Sequence, residues 1–147
     1  MKKIAIVQSN YLPWKGYFDL IAAVDEFVLY DDVQYTRRDW RNRNKFKTPH
    51  GLQWLTVPVK VKGRYLQTIR ETEIDGDSWR ETHWKTLSPN YSRAPYFREV
   101  SEVLESPLLH GKQLLLSELN SDLLKVICKY LGIATQIRQA SEFELEQ

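Results

Sequence analysis

Three short stretches of the chain combine residue types that hold anionic or hydroxylated ligands. The first is Gln8-Ser9-Asn10-Tyr11-Leu12-Pro13-Trp14-Lys15-Gly16-Tyr17. It follows an apolar run and precedes a helical pattern, so Pro13 and Gly16 mark a strand-to-helix turn. A helix N-terminus offers free amides and the positive end of the dipole to an anion. The carboxyl end of a parallel strand is also where open α/β sheets take ligands. Gln8, Tyr11, Trp14, Gly16 and Tyr17 are therefore candidates to form a cleft. The same residues would equally make a plain turn in which Tyr11 and Trp14 cover the sheet. The second stretch is Asp31-Asp32, at the end of the next apolar run. Carboxylates there could hold Mg²⁺, contact sugar hydroxyls or assist proton transfer. Neighbours in a strand point to opposite faces, so one of the two is expected to act. A helix cap or a partner for nearby arginines is the alternative. The third stretch runs from Arg37 to Lys47. Arg41, Asn42, Arg43 and Asn44 offer planar guanidinium forks and carboxamides suited to phosphate and hydroxyls. Tyr35, Trp40 and Phe46 lie among them as stacking faces, a combination that also suits single-stranded nucleic acid.

Other chemistry-bearing residues are sparse. His83 lies between Trp79 and Trp84 and is the best candidate base, although a satisfied helix histidine fits the same position. His50 and His110 adjoin Gly51 and Gly111 and read as turn residues. No second histidine stands at close spacing, so no metal motif is expected. Cys128 is the single cysteine, which excludes an internal disulfide; it reads as core. No Walker loop, dinucleotide fingerprint, nucleophile elbow or zinc-protease helix is present, and no cofactor is expected.

The charge is uneven. Between Tyr35 and Arg70 there are ten Lys or Arg against Asp39 alone, a balance of +9, while the whole chain carries +2. Such a segment gathers anions. At 147 residues, with 42% apolar and 27% charged residues, the chain fits one globular domain. No run approaches the ~20 apolar residues of a membrane span. Gln8-Ser9-Asn10 cuts the N-terminal apolar stretch too short for a signal peptide, so a cytoplasmic location is expected.

The elements that must position these residues follow from periodicity. Residues 3–7 read as a buried strand, 18–24 as a helix and 26–30 as a second strand. That order implies a parallel βαβ unit with a right-handed crossover. Residues 39–51 are too polar for core and read as an exposed loop or hairpin. Residues 55–59 and 66–74 read as further short strands, the former limited by Pro58. A helix is expected from Trp79, capped by Asp77 or Ser78 and ended by Pro89, and another begins after Pro95. A last helix from Ser117 or Asn120 runs through Leu131, with Leu123, Leu124, Ile127 and Leu131 inward and Gly132 as its stop. Residues 133–137 read as a returning strand. The fold class expected is α/β: a Rossmann-like parallel or mixed sheet, flanking helices, and a basic insertion after the second strand.

The stretches from Gln8 to Phe18, Asp31-Asp32-Val33-Gln34-Tyr35 and Trp40-Arg41-Asn42-Arg43-Asn44 resemble the WbqC-like family. Trp79-Arg80, His83-Trp84, Asn90-Tyr91 and Ala94-Pro95-Tyr96-Phe97 continue the likeness across most of the chain. The resemblance implies a role in surface-polysaccharide or O-antigen synthesis, as a glycyl- or acyl-type transferase acting on an activated sugar or amino sugar. It adds Gln34 and Tyr35 to the substrate-binding candidates. Its substrate would be a nucleotide-sugar or other phosphorylated sugar. Family members usually run further, so the chain, residues 1–147, is expected to be one WbqC-like domain lacking a C-terminal part. A more distant likeness links Trp14, Gly16 and Tyr17 to the His-x-Gly-His motif of the nucleotidylyltransferase superfamily. Trp and Tyr in place of the histidines cannot supply the charge that adenylyl transfer needs. Two alternatives stand beside the transferase: a nucleic-acid-binding module built on residues 35–70, and a non-catalytic interaction protein.

Overall fold

The computed structural model describes residues 1–143. Strands β1 (Ile4–Val7) and β2 (Glu26–Leu29) are joined by helix α1 (Lys15–Ala22). They pair in parallel, Ile4 against Glu26 through Val7 against Leu29. Strand β5 (Gln136–Gln139) adds in parallel to the other edge of β2, in the order β1-β2-β5. The returning strand thus starts later than expected. Residues 133–135 act as a joint instead: the Ile133 amide donates to the Cys128 carbonyl, and the Thr135 hydroxyl donates to the carbonyls of Ile21 and Val24.

The sheet is covered on one face. Ala5, Val7, Phe27, Leu29 and Ile137 pack against Tyr17, Phe18 and Ile21 of α1 and against Leu124 and Cys128. On the opposite face Ile4 and Ile6 are more than half exposed, so β1 is an edge strand rather than a buried one. Glu26 on that face is nearly inaccessible, held between Lys2 and Arg138.

Residues 39–51 resolve into the hairpin branch of the expectation. β3 (Arg43–Thr48) and β4 (Gly51–Thr56) pair antiparallel, turning at Gly51, whose φ of 108° suits glycine. Alternation sends Phe46 and Leu55 to the core and leaves Arg43 and Lys45 over the indole of Trp54. Pro58 lies beyond the end of β4, where a missing amide costs no ladder bond. Residues 66–74 form no strand and make only isolated bridges, Gln34 with Thr68, Val59 with Ile74 and Glu73 with Leu115.

Helices α2 (Ser78–Tyr91), α3 (Phe97–Leu104) and α4 (Leu116–Tyr130) follow, with one π-helical turn, Glu105–Leu109, after α3. Asp77 precedes α2 without a side-chain cap bond. Pro89 does not end α2. It sits in the last turn, where its ring releases one carbonyl into an exposed segment, and the helix continues to Tyr91. Buried Arg80 locks α2 to the π-helical turn by donating to the carbonyls of Pro107 and Leu108 at 3.1 and 3.0 Å. α4 begins before Ser117 and spans both cores: Leu116, Leu119 and Leu123 join the cluster under the hairpin, while Leu124 and Cys128 join the sheet cluster. Leu131 is half exposed, not inward; Gly132 follows it at φ 70°, the left-handed position that glycine fills after a helix. No helix among the described residues is long and apolar enough to cross a membrane.

One polar chain ties three of these parts together. The Tyr11 hydroxyl donates to His83 Nδ1 at 2.8 Å, and His83 Nε2–H donates to the Thr56 carbonyl at 3.0 Å. The carbonyl can only accept, so it sets the tautomer. The chain runs from the first loop through α2 to the hairpin. Tyr11→Phe removes the donor and leaves a buried ring nitrogen unpartnered, so it should cost roughly 1–3 kcal/mol in denaturant unfolding. Burial lowers the His83 pKa from 6.5 to about 4. Folding therefore favours the neutral ring, and its contribution is complete above pH 6.5 and lost as the pH falls towards 4. His83→Gln should flatten the pH dependence of the melting temperature across that window; an unchanged slope would assign it to other groups.

Candidate functional site

The structure brings the first loop and the Arg41–Asn44 segment together. The Tyr11 amide donates to the Trp40 carbonyl at 3.1 Å. Asn44 Nδ2 donates to the Leu12 carbonyl at 2.6 Å and to that of Tyr11 at 3.3 Å. The Arg41 guanidinium donates to the Ser9 carbonyl and to Asn10 Oδ1, and lies 3.7 Å from Asp39. These bonds hold Leu12 at φ 42°, a conformation that costs a leucine energy and needs fixed surroundings.

Below this seam lies a buried carboxylate. Asp31, 1% exposed, accepts from the Ser9 amide at 2.8 Å and from the Ser117 hydroxyl. Ser117 is in the first turn of α4, where free amides and the dipole favour negative charge. Asn120 in the next turn donates to Ser9 Oγ at 3.0 Å and to the Arg41 carbonyl at 2.9 Å. The Asp31 carbonyl accepts from the Arg70 amide. The protein's own side chains thus fill part of the crevice expected at the carboxyl end of β2; beside them a hollow of about 400 Å³ remains, lined by Arg70, Glu71, Leu115, Ser117, Glu118 and Gln139. Asp32 points elsewhere and pairs with Arg70 at 2.6 Å near the surface.

Another open space lies on the other side of the first loop. A cleft of about 400 Å³ is lined by Asn10, Pro13, Trp14, Trp40 and Asn44. Its indoles are accessible, Trp14 at 70% and Trp40 at 44%. Gly16 makes room for Trp14: a Cβ built on it would meet the indole ring at 2.2 Å, so the ring packs directly against the first turn of α1. Trp40 continues onto Trp54, ring centroids 5.3 Å apart, and the Arg43 guanidinium covers Trp54 at 3.9 Å. Beyond Arg43, a hollow of about 200 Å³ is lined by Tyr35, Arg37, Arg38, Asn42 and Arg43 among others. Arg43 Nε and Asn42 Oδ1 are buried without a protein partner, while another nitrogen of the Arg43 guanidinium donates to the Arg38 carbonyl.

The candidates separate accordingly. Trp14 and Asn44 line the cleft, and Gly16 sets the Trp14 ring. Asn44 also pins the loop, and Arg41 is committed to Ser9 and Asn10. Tyr17 is buried, its hydroxyl donating to the Gln8 carbonyl at 2.8 Å. Burial raises the pKa of both Tyr11 and Tyr17. Both nitrogens of His83 are bonded to protein, which leaves none free for a substrate proton. Gln34 donates to the Tyr65 carbonyl, and Phe46 is core rather than a stacking face. Trp54 lies outside the motif stretches, while Arg37, Arg38 and Asn10 lie within them but are not singled out there as site residues. Strand alternation is the signal for Trp54, because it stands opposite Lys45 on the outer face. Among the described residues, no three His, Cys, Asp or Glu gather as metal ligands.

The two aspartates separate by burial. Asp31→Asn turns one accepting oxygen into a donor facing the Ser9 amide or the Ser117 hydroxyl, and should cost roughly 1–3 kcal/mol. Asp32→Asn should cost less than about 1 kcal/mol, as exposed pairs do. Equal losses for the two variants in urea unfolding would contradict this geometry.

Comparison with known proteins agrees with the motifs. A protein from Mycobacterium tuberculosis (strain ATCC 25618 / H37Rv) described as "Uncharacterized protein Rv1507c" is 59% identical over 145 residues. The match covers 99% of this chain and 63% of that relative's length. No solved structure matches. The model of the WbqC-like protein family matches residues 8–147, and the chain belongs to that family.

Proposed function

We propose that the chain binds an activated sugar, as a nucleotide-sugar or other phosphorylated sugar, for a glycyl- or acyl-type transfer in surface-polysaccharide synthesis. The observation that supports it is the cleft of Asn10, Trp14, Trp40 and Asn44 beside the Arg37, Arg38 and Arg43 hollow. Indole faces stack on the C–H faces of a sugar ring, and carboxamides bind its hydroxyls. Guanidiniums beyond the rings suit a diphosphate. The βαβ unit is half of a Rossmann-like sheet, and in this reading the hairpin replaces the usual strand-end crevice as the binding element. Asp31, Arg41 and His83 are positioning residues. Asp32 is the remaining carboxylate candidate for proton transfer.

A second reading has its own observation. Trp40 and Trp54 with Arg43 and Lys45 form an accessible basic stacking platform. Such platforms bind single-stranded nucleic acid, with affinity that falls steeply with salt.

Calorimetric titration with a panel of nucleotide-sugars and a short single-stranded RNA separates the two. Saturable binding of one nucleotide-sugar class that persists at moderate salt is expected. Trp14→Ala and Trp40→Ala should each weaken it about tenfold or more, the scale of a lost stacking contact. Gly16→Ala should displace the Trp14 ring and weaken binding with little change in melting temperature, because that ring is exposed. Binding of RNA alone, erased by salt, would favour the second reading.

A further inference from the structure

A second surface adjoins the sugar cleft: the outer side of the β3–β4 hairpin. The register places Arg43 opposite Thr56, Lys45 opposite Trp54 and Lys47 opposite Leu52 there. The inner side sends Phe46 and Leu55 into the core, so the outer side is held as a fixed platform. Its far end is pinned as well, the Lys47 amide donating to the Tyr91 hydroxyl at 3.0 Å. Two apolar side chains stand on this platform in water, Leu52 at 67% and Trp54 at 43% exposure.

The platform carries charge of one sign. From Trp40 to Arg70 the chain holds no Asp or Glu. Among the described residues, Arg43, Lys45 and Lys47 form no ion pair. Like charges in a row repel one another, and an anionic surface laid against them relieves the repulsion. Cations interleaved with an indole and an exposed leucine complement the surface of an anionic bilayer. Lys and Arg reach its head groups, Trp sits at the interface and Leu enters the acyl boundary. Two features favour lipid over a nucleic-acid strand. The Arg43 guanidinium already lies 3.9 Å over the Trp54 ring, with Lys45 at 5.1 Å, so a stacking base would have to displace them. Leu52 has no π face to offer a base, whereas acyl chains take it out of water.

We propose that the outer face of the hairpin docks the protein on the surface of an anionic bilayer, with Lys45 and Lys47 at the head groups and Leu52 and Trp54 at the acyl boundary. The attachment is peripheral and does not depend on sugar binding in the cleft. The Trp40 ring, which lines that cleft, is 5.3 Å from the Trp54 ring, so a docked molecule holds the cleft beside the membrane surface.

The test is co-sedimentation with phosphatidylcholine vesicles, with and without phosphatidylglycerol. Retention is expected only where phosphatidylglycerol is present, and it should fall as salt rises. The double variant Lys45→Glu/Lys47→Glu should weaken it at least about tenfold, and Lys45→Arg/Lys47→Arg should preserve it. Leu52→Ser, which changes no charge, should weaken it about fivefold or more. All three side chains are exposed, so the melting temperatures of these variants should match that of the parent. Equal retention with and without phosphatidylglycerol, retention by neither, or indifference to Leu52→Ser would each overturn the proposal. So would a short single-stranded RNA that binds until the lysines are reversed, in a protein that no vesicle retains, which would give the face to nucleic acid.

Discussion

A carboxylate taken out of water must find hydrogen-bond donors, and the fold is organised around that demand at Asp31. Its two oxygens take the Ser9 amide, at the exit from β1, and the Ser117 hydroxyl, at the entry to α4. A residue that ends the central strand therefore joins the first loop to the helix that spans both cores. Asn120, one turn further along α4, extends the network to Ser9 and the Arg41 carbonyl. These bonds answer polar groups that would otherwise lie buried and unpaired, and of the Asn120 carboxamide only the nitrogen is used, its Oδ1 having no protein partner.

The network also sits where a ligand would usually go. In an open α/β sheet the space beyond the strand ends is the usual binding crevice. Here Asp31, Ser9 and Ser117 occupy part of it, beside a hollow bordered by Arg70, Ser117, Glu118 and Gln139. The first loop is instead pressed against the base of the hairpin by Asn44 and Arg41, and its outer side presents Asn10 and Trp14 opposite Trp40. The resulting surface carries indole faces and carboxamides. None of the residues that line the cleft is a carboxylate or an imidazole. Under the proposed function the cleft serves for binding, and the chemistry of transfer would draw on groups outside that lining.

Much of the fold was legible. The βαβ unit followed from two short apolar runs around a helical pattern, and parallel pairing followed from their order. The motif residues of the first loop and of the Arg41–Asn44 stretch do meet in space. What pattern reading could not supply was side-chain direction. Tyr11 and Trp14 are three residues apart in one loop, yet one is fully buried and the other mostly exposed. His83 looked like a base because of its type, whereas a carbonyl and a hydroxyl from distant segments occupy both its nitrogens. Arg41 and Arg43 looked alike, but Arg41 is spent on the loop and Arg43 lies over Trp54. Such differences arise from contacts between segments distant in sequence, 72 residues for Tyr11 with His83 and 32 for Arg41 with Ser9, which local periodicity does not encode. Where a local rule failed, as at Pro89, the reason was again position: a proline in an exposed last turn disturbs little.

The central claim is that activated sugars bind at the Trp14–Trp40 cleft. The chain has five tryptophans, so their indole N–H signals give five resolved reporters in a nitrogen–proton correlation spectrum. Titration with the nucleotide-sugar that binds should move the Trp14 and Trp40 signals, with a smaller shift at Trp54. Trp79, buried in the core, should stay fixed. Shifts confined to Trp79 and Trp84, or saturable binding that leaves Trp14 and Trp40 unmoved, would contradict the account.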